Sequence, residues 1–307
     1  MQHVICDLCG SDRSKVRFPS TLAGSAQGDL SAYRCTCNGY GQHHTIVECL
    51  SCGLVYANPR YASGEMLARY QAVEDPLYVE EREGRVLTFE RHLRPLEKIM
   101  PPGNKRRLLD VGCHVGVFVE IAARHGWDAW GVEPSRWAAA QAQQAGFQVI
   151  EGTLASAGFA EESFDIITLW DVIEHLERPS DEVSQAFGLL KPGGLLVAHT
   201  MDVDSLFARL MGRRWPWLME MHLYYFTRRT LARLMEKAGF QVLEIQAQGR
   251  YLRLGYLTTR IAAFNQTLGR MLGWLFDRLG ISQRAIPINL GDLVTMYAAK
   301  PALHARN

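Results

Sequence analysis

The chain has 307 residues, 48% of them hydrophobic and 21% charged, which supplies a full α/β core with smaller units attached and excludes a disordered polymer. Lys+Arg 33 against Asp+Glu 32 leaves a formal charge of +1, so no overall positive field gathers a polyanion, and DNA or RNA is not the expected partner. Residues 1–9 hold no basic segment leading into an apolar run, and nowhere do about 18 apolar residues follow one another, so the expectation is a cytoplasmic location.

Six of the seven cysteines fall within the first 52 residues, four of them as Cys6-x-x-Cys9 and Cys49-x-x-Cys52. Without an export signal, this pairing favours metal over disulfide. Each pair sits at a glycine turn, so the two knuckles offer four thiolates to one tetrahedral Zn²⁺, and residues 1–60 read as a zinc-ribbon-like unit. A closed site of four cysteines has no open position for chemistry, so the ion is expected to be structural. Buried, reduced thiols are the less favoured reading. Cys35, Cys37, His43 and His44, between the knuckles, are candidates for substitute ligands or a second ion, with surface thiols preferred for the two cysteines.

Residues 53–59 read as the last strand of this unit. A helical cover follows over 61–105, with Leu67, Tyr70, Val86, Phe89, Leu93 and Leu96 at helical spacing and a stop at Pro101-Pro-Gly103.

From residue 106 the pattern alternates. Leu108, Leu109 and Val111 make a buried strand over 107–112 that breaks at Gly112 and re-forms as a helix over 116–125. A nicotinamide fingerprint starting at Gly112 wants glycine at 114 and 117, where the chain has His114 and Val117, so a hydride-transfer cofactor is disfavoured. Further segments follow: strand 128–132, helix 135–145, strands 147–150 and 164–170, helix 180–190, strand 194–200, helix 228–238, strand 240–247 and strand 292–299. Strands and helices in this alternation predict a parallel sheet covered on both faces, with ligands at the carboxyl ends of its strands. The insertion 250–291 repeats Leu257, Ile261, Phe264, Leu268, Leu272, Leu275 and Leu279 at helical spacing, and Arg253, Arg260, Arg270 and Arg278 share the segment with one acid, Asp277. Its stripe reads either as a surface lying on a membrane or as a face packed on the core or a second subunit, and the second is preferred. A homo-oligomer is compatible with that choice.

The order Asp110-x-Gly112-x-x-x-Gly116, then Glu133 after the next strand, then 164–176 and Leu190-Lys-Pro-Gly-Gly-Leu-Leu-Val197, resembles the class I S-adenosylmethionine (AdoMet) methyltransferases over about 107–200. The resemblance implies a Rossmann-like, seven-stranded sheet over 106–307 with antiparallel terminal strands. It also implies that Asp110, Gly112 and Gly116 cradle the methionine end of the cofactor while Glu133 takes the ribose hydroxyls. A carboxylate accepts two hydroxyl hydrogen bonds well, and turn N–H groups suit a carboxylate. His114 stands where the family has a small residue; it either narrows the turn or contacts the cofactor. By the same resemblance Trp170 covers the adenine, Asp171 lines the crevice, and Tyr70, Tyr78 and Arg82 are candidates from the covering helices. With the cysteine pairs and His222-Leu-Tyr-Tyr-Phe226, the chain is similar to methyltransferases of sugar, polysaccharide and secondary-metabolite pathways.

Methyl transfer is an in-line displacement, so the protein must mainly place the acceptor and exclude water. His222 is the expected general base, with Tyr224 and Tyr225 orienting the acceptor and Trp215 and Trp217 suited to stacking on a ring. Asp171-x-x-Glu174-His175 is similar to the group that binds a divalent ion in ubiquinone-pathway O-methyltransferases, a secondary reading. The expected activity is AdoMet-dependent methylation of a small-molecule or carbohydrate-like acceptor, at oxygen rather than carbon. The alternatives are C-methylation of a nucleotide-linked sugar, or a zinc-containing binding or scaffold protein without turnover.

Overall fold

A computed structural model describes residues 1–22, 30–103 and 105–302. Three strands come first: β1 (Ser14–Phe18), β2 (Ile46–Cys49) and β3 (Val55–Ala57). The helical cover is α1 (Glu65–Gln71), α2 (Pro76–Glu80) and α3 (Arg82–Ile99). The alternating region is β4 (Arg107–Val111), α4 (Val117–Arg124), β5 (Asp128–Glu133), α5 (Arg136–Gln144), β6 (Val149–Glu151), β7 (Phe164–Trp170), α6 (Pro179–Leu189) and β8 (Leu190–Met201). It continues through α7 (Leu206–Met211), β9 (Tyr224–Tyr225), α8 (Arg228–Lys237) and β10 (Gln241–Ala247). The insertion is β11 (Arg250–Arg253), α9 (Leu254–Ala262), α10 (Gln266–Arg278) and β12 (Ala285–Ile288), and β13 (Leu293–Ala299) ends the sheet.

Seven strands pair in the order β10-β13-β8-β7-β4-β5-β6, parallel except for β13, which runs antiparallel to both β8 and β10. Leu108, Leu109, Ile166, Ile167 and Leu196 are fully buried, because helices cover both faces of the sheet. From β4 the chain winds outward through β5 and β6 and then returns to the other side through β7 and β8. The carboxyl ends of β4 and β7 are therefore the switch point, where a crevice opens between diverging connections. Two glycines shape the turn between β4 and α4. Gly112 has φ +69° and a Cβ there would meet Val172 Cγ2 at 2.6 Å; Gly116, which opens α4, has φ +76° and a Cβ would meet Phe147 Cδ2 at 2.8 Å.

The N-terminal strands form a second sheet, β1-β2-β3-β9, whose last member comes from the segment between β8 and α8, with Tyr56 opposite Tyr224 and Val55 opposite Tyr225. Arg60 donates to Tyr224 Oη at 3.2 Å and to Glu177 O at 2.7 Å, and Asp7 accepts from Ser180 N at 2.8 Å. The N-terminal strands are thus joined to the later part of the chain through β9, Arg60 and Asp7.

Leu93 and Leu96 of α3 are fully buried, each contributing roughly 2 kcal/mol by removal from water. The insertion differs from the all-helical expectation. β11 and β12 form an antiparallel ribbon carrying the α9–α10 hairpin, and β11 lies on α3, where Tyr251 N donates to Thr88 Oγ1 at 2.8 Å. No helix among the described residues is long and apolar enough to cross a membrane.

Candidate active site

A cavity of about 610 Å³ lies at the switch point, walled by the β4 and β7 ends, the helical cover, the 215–222 loop and the inner side of α9. That volume is in the range of small-molecule sites. Val111, Gly112, His114, Val132, Trp170, Asp171, Glu174, His175, Trp217 and His222 line it, with Tyr70, Tyr78 and Arg85 from the cover.

Glu133 ends β5 fully buried. Its Oε2 accepts from His114 N at 2.8 Å and its Oε1 from Ser135 N at 2.7 Å, while the Tyr70 phenol hydrogen-bonds the same carboxylate. Burial pushes its pKa up to about 7, against the lowering by those three donors. Glu133 therefore stands just behind the cavity wall, with Tyr70 on its open side. His114 holds a left-handed backbone, φ +49°, which aims its N–H at Glu133 and lays its ring 3.7 Å from that of Tyr78. Burial, then the charge of Arg85, drives its pKa down to about 3, so the imidazole is neutral, and its buried Nδ1 has no partner among the described residues. Arg85 lies 3.4 Å over the other ring, that of Tyr78, and its buried Nε is likewise unpartnered. Arg85 escaped the sequence reading. Its only signal is helical spacing: it sits one turn before Phe89, on the inward side of α3.

Three expected cofactor or cover residues take other positions. Asp110 is not at the cavity wall; it is buried between strands, where Thr168 Oγ1 donates to it at 2.7 Å and burial raises its pKa to about 8. Gly116 is a packing glycine under Phe147. Arg82 turns outward to Glu120. Trp170 does line the cavity, and its buried indole N–H has no partner among the described residues. Asp171, at φ +54°, pairs with Arg250 at 3.2 Å, which in turn sits 5.1 Å over the Trp217 ring.

The loop after β8 brings His222 beside Glu174 and His175. One carboxylate oxygen and two imidazole nitrogens lie within 4.8 Å of one another, so His222 takes the third place that the sequence assigned to Asp171. Each imidazole is oriented through Nδ1, that of His175 to Met221 O at 2.9 Å and that of His222 to Trp217 O at 2.7 Å, which leaves Nε2 for chemistry. Burial, then the neighbouring His175, lowers the His222 pKa to about 3. Burial and then Asp171 raise that of Glu174 to about 8.

Tyr224 does not reach the cavity. As part of β9 it is buried against β3, donating to Glu177 O at 3.1 Å, and Tyr225 donates to Met219 O at 3.3 Å. Trp215 is fully enclosed, and both Trp215 and Trp217 donate to Asp292, which fixes the loop. Only Trp217 of the two lines the cavity.

At the N-terminal unit the Sγ atoms of Cys6, Cys9, Cys49 and Cys52 all lie within 4.8 Å of one another, with Cys6–Cys52 at 3.5 Å and Cys9–Cys49 at 3.6 Å. These approach the roughly 3.8 Å edge of a tetrahedron of thiolates ~2.3 Å from a shared ion. Burial opposes the Cys49 thiolate, but backbone N–H groups of Cys52 and Ser51 outweigh it and lower its pKa to about 7. Cys35 and Cys37 are elsewhere, in the cavity roof. Their loop is held by Thr36 N and Oγ1 donating to Asp75 and by Arg260 donating to Thr36 O at 2.9 Å. His43 and His44 are buried away from the cysteine cluster, His44 against Tyr61.

Residues 78–245, more than half of the chain, match the family described as a methyltransferase domain, and the chain belongs to that family. It is 37% identical over 102 residues to a ubiquinone biosynthesis O-methyltransferase of Roseobacter denitrificans, a match covering 31% of this chain and 41% of that protein. To the protein of the same description from Azorhizobium caulinodans it is 30% identical over 168 residues, covering 50% and 64% respectively. The chain thus spans less than two-thirds of the length of these relatives. The crystal structure of a SAM dependent methyltransferase from Archaeoglobus fulgidus shares the fold, with a TM-score of 0.50 at 20% identity over 74% of this chain and all of that one. The resemblance drawn from the glycine turn and Glu133 is borne out at the level of family and fold.

Proposed function

We propose that the protein is an AdoMet-dependent methyltransferase that methylates an oxygen of a small-molecule or carbohydrate-like acceptor in the cytoplasm. The observation that carries this reading is the union of Glu133 with the turn after β4 through the His114 N–H, beside a cavity large enough for two ligands. The fit to the cofactor rests on polar atoms at that wall that lack partners among the described residues: His114 Nδ1 and Arg85 Nε at one end, Trp170 Nε1 at another. Arg85 suits the carboxylate of the methionine moiety, the neutral His114 Nδ1 suits its ammonium, and Glu133 suits the ribose hydroxyls, which would replace the Tyr70 phenol as donors. When bound, AdoMet supplies an electrophilic methyl group on a sulfonium.

The chain's part in the reaction is placement and proton removal. Asp171, Arg250 and Trp217 form the polar side of the cavity, and the Cys35–Cys37 loop, Tyr40 and Tyr256 close it against water. His222 Nε2 takes the acceptor's hydroxyl proton. Its low proton affinity limits it to acceptors whose hydroxyl is already acidic, and the nearby Glu174 carboxylate supports the imidazolium when ionised. The ubiquinone O-methyltransferase relatives favour oxygen as the methylated atom.

The geometry of Glu174, His175 and His222 supports a second reading of that cluster, in which the three would hold a divalent cation, whose chemistry there would be that of a Lewis acid toward the acceptor oxygen. In the N-terminal unit, Cys6, Cys9, Cys49 and Cys52 would hold a structural Zn²⁺, which joins the knuckles of a unit too small to bury much core by itself. The test is formation of S-adenosylhomocysteine with a panel of phenolic, catecholic and sugar acceptors, with and without chelator. Turnover supports the reading. Absence of both turnover and AdoMet binding contradicts it, and turnover abolished by chelator and restored by Mg²⁺, which does not replace Zn²⁺ at four thiolates, assigns the cluster to a metal.

A further inference from the structure

The hairpin that walls the cavity has an outer side unlike its inner one. α10 meets α9 through glycine: a Cβ on Gly269 would lie 2.5 Å from Ala262 Cβ, and one on Gly273 would lie 3.5 Å from Thr258 Oγ1. The face opposite this seam carries Leu268, Met271, Leu275 and Leu279, exposed by 40%, 56%, 39% and 60%, with Trp274 beside them at 62%. An amphipathic helix ordinarily buries its apolar stripe and wets the rest. Here the small-residue face is packed and this part of the stripe faces outward, so on α10 it does not pack on the core of its own chain. A contiguous apolar stripe of this kind marks an interaction surface.

We propose that this stripe lies in the surface layer of an anionic lipid bilayer and seats the cavity's mouth against it. Charge selects this occupant. Residues 264–284 hold three arginines, at 270, 278 and 284, all exposed, against one acid, Asp277, while Arg260 is turned inward to the Cys35–Cys37 loop. Arg270 is exposed at one edge of the stripe and Arg278 within its C-terminal part, with the Arg278 guanidinium 5.5 Å over the Trp274 ring. An apolar face edged by arginine and tryptophan matches the boundary between acyl chains and phosphate head groups. A second copy pairing through the same face would bring arginine edges together with one acid per helix to offset them. α10 has 13 residues, so it lies along the surface.

The stripe also joins the cavity. Phe264, at its N-terminal end and 49% exposed, stacks at 5.3 Å on Tyr40, which lines the cavity, and Tyr256 and Arg260 of α9 line it from within. An acceptor with an apolar tail could therefore leave the bilayer along the stripe and enter with its polar head first.

The experiment is co-sedimentation of the full chain with vesicles of phosphatidylcholine alone and of phosphatidylcholine containing phosphatidylglycerol, and it requires neither AdoMet nor turnover. The expected result is binding to the anionic vesicles about tenfold or more above the neutral ones, weakening as salt rises. The double variant Met271→Glu/Leu279→Glu should lose that binding with an unchanged melting temperature, since both side chains are more than half exposed. Leu210→Glu, an equally conservative test at an exposed leucine on α7, should keep it. Equal pelleting of the double variant, or no pelleting of the parent, overturns the proposal. So does a dimer in sedimentation velocity that the double variant abolishes while vesicle binding is absent.

Discussion

The backbone N–H of His114 donates to Glu133 Oε2 at 2.8 Å, so the turn after β4 and the acid ending β5 are one unit. The bond depends on His114 holding φ +49°, and the ring stacking of His114 on Tyr78 keeps it there. A histidine in this turn thus places a neutral imidazole beside the guanidinium of Arg85, the two groups that the proposed function assigns to the ammonium and carboxylate of AdoMet.

Arg85→Ala is expected to raise the Kd for AdoMet roughly 10- to 100-fold, the value of one charge-assisted hydrogen bond to a carboxylate. Calorimetric titration measures it. His114→Ala should weaken binding as well, since it loses the Nδ1 acceptor and relaxes the turn. An unchanged Kd in Arg85→Ala would remove Arg85 from the cofactor site.

Asp110 provides a pH test of the fold. Burial raises its pKa from an ordinary 3.8 to about 8, so the folded protein holds this proton more tightly than the unfolded chain. The stability contributed by that proton is complete below about pH 4 and is lost as pH rises through about 8. Asp110→Asn keeps a polar partner for Thr168 and cannot ionise. The parent should therefore lose stability relative to this variant between pH 5 and pH 8.5, by on the order of a few kcal/mol. Melting temperatures of both proteins across that range measure the difference, and parallel curves would refute the assignment.

Much of this was legible beforehand, for identifiable reasons. Interior strands such as 107–111 and 164–170 announce themselves because burial on both faces demands unbroken apolar runs. The cysteine knuckles and the Gly112–Glu133 spacing are local patterns. Pairing between distant segments carries no such signature. Tyr224 read as a phenol orienting the acceptor because an aromatic cluster beside a histidine suggests a site, whereas its backbone completes the β3 edge and its hydroxyl meets Glu177 O. Asp110 sits in the motif, yet strand alternation turns its side chain toward Thr168. The β11–β12 ribbon was hidden by the helical spacing between its strands.

Loss of the cysteine cluster should propagate beyond the N-terminal unit, because β3 of that unit pairs with β9. Metal analysis of the purified chain is expected to give one equivalent of zinc. Cys49→Ser should release it and lower the melting temperature by about 10 °C or more. Zinc content near zero in a fully folded parent would leave the four thiols as packing residues.

His222→Ala should reduce kcat by about 10²- to 10⁴-fold, the usual span for a lost general base, while the Kd for AdoMet stays unchanged. Rates with acceptors of graded hydroxyl acidity separate two roles: a base becomes dispensable as the acceptor ionises by itself, whereas a residue that only shapes the cavity does not. An unaltered kcat would transfer the role to another group.

The most direct measurement is calorimetric titration of AdoMet into the parent protein and into Glu133→Ala. The account predicts one site per chain in the parent and a loss of affinity of about 100-fold or more in the variant, since two ribose hydroxyls lose a charged acceptor. Equal affinity in the two proteins, or no binding to the parent, would contradict it.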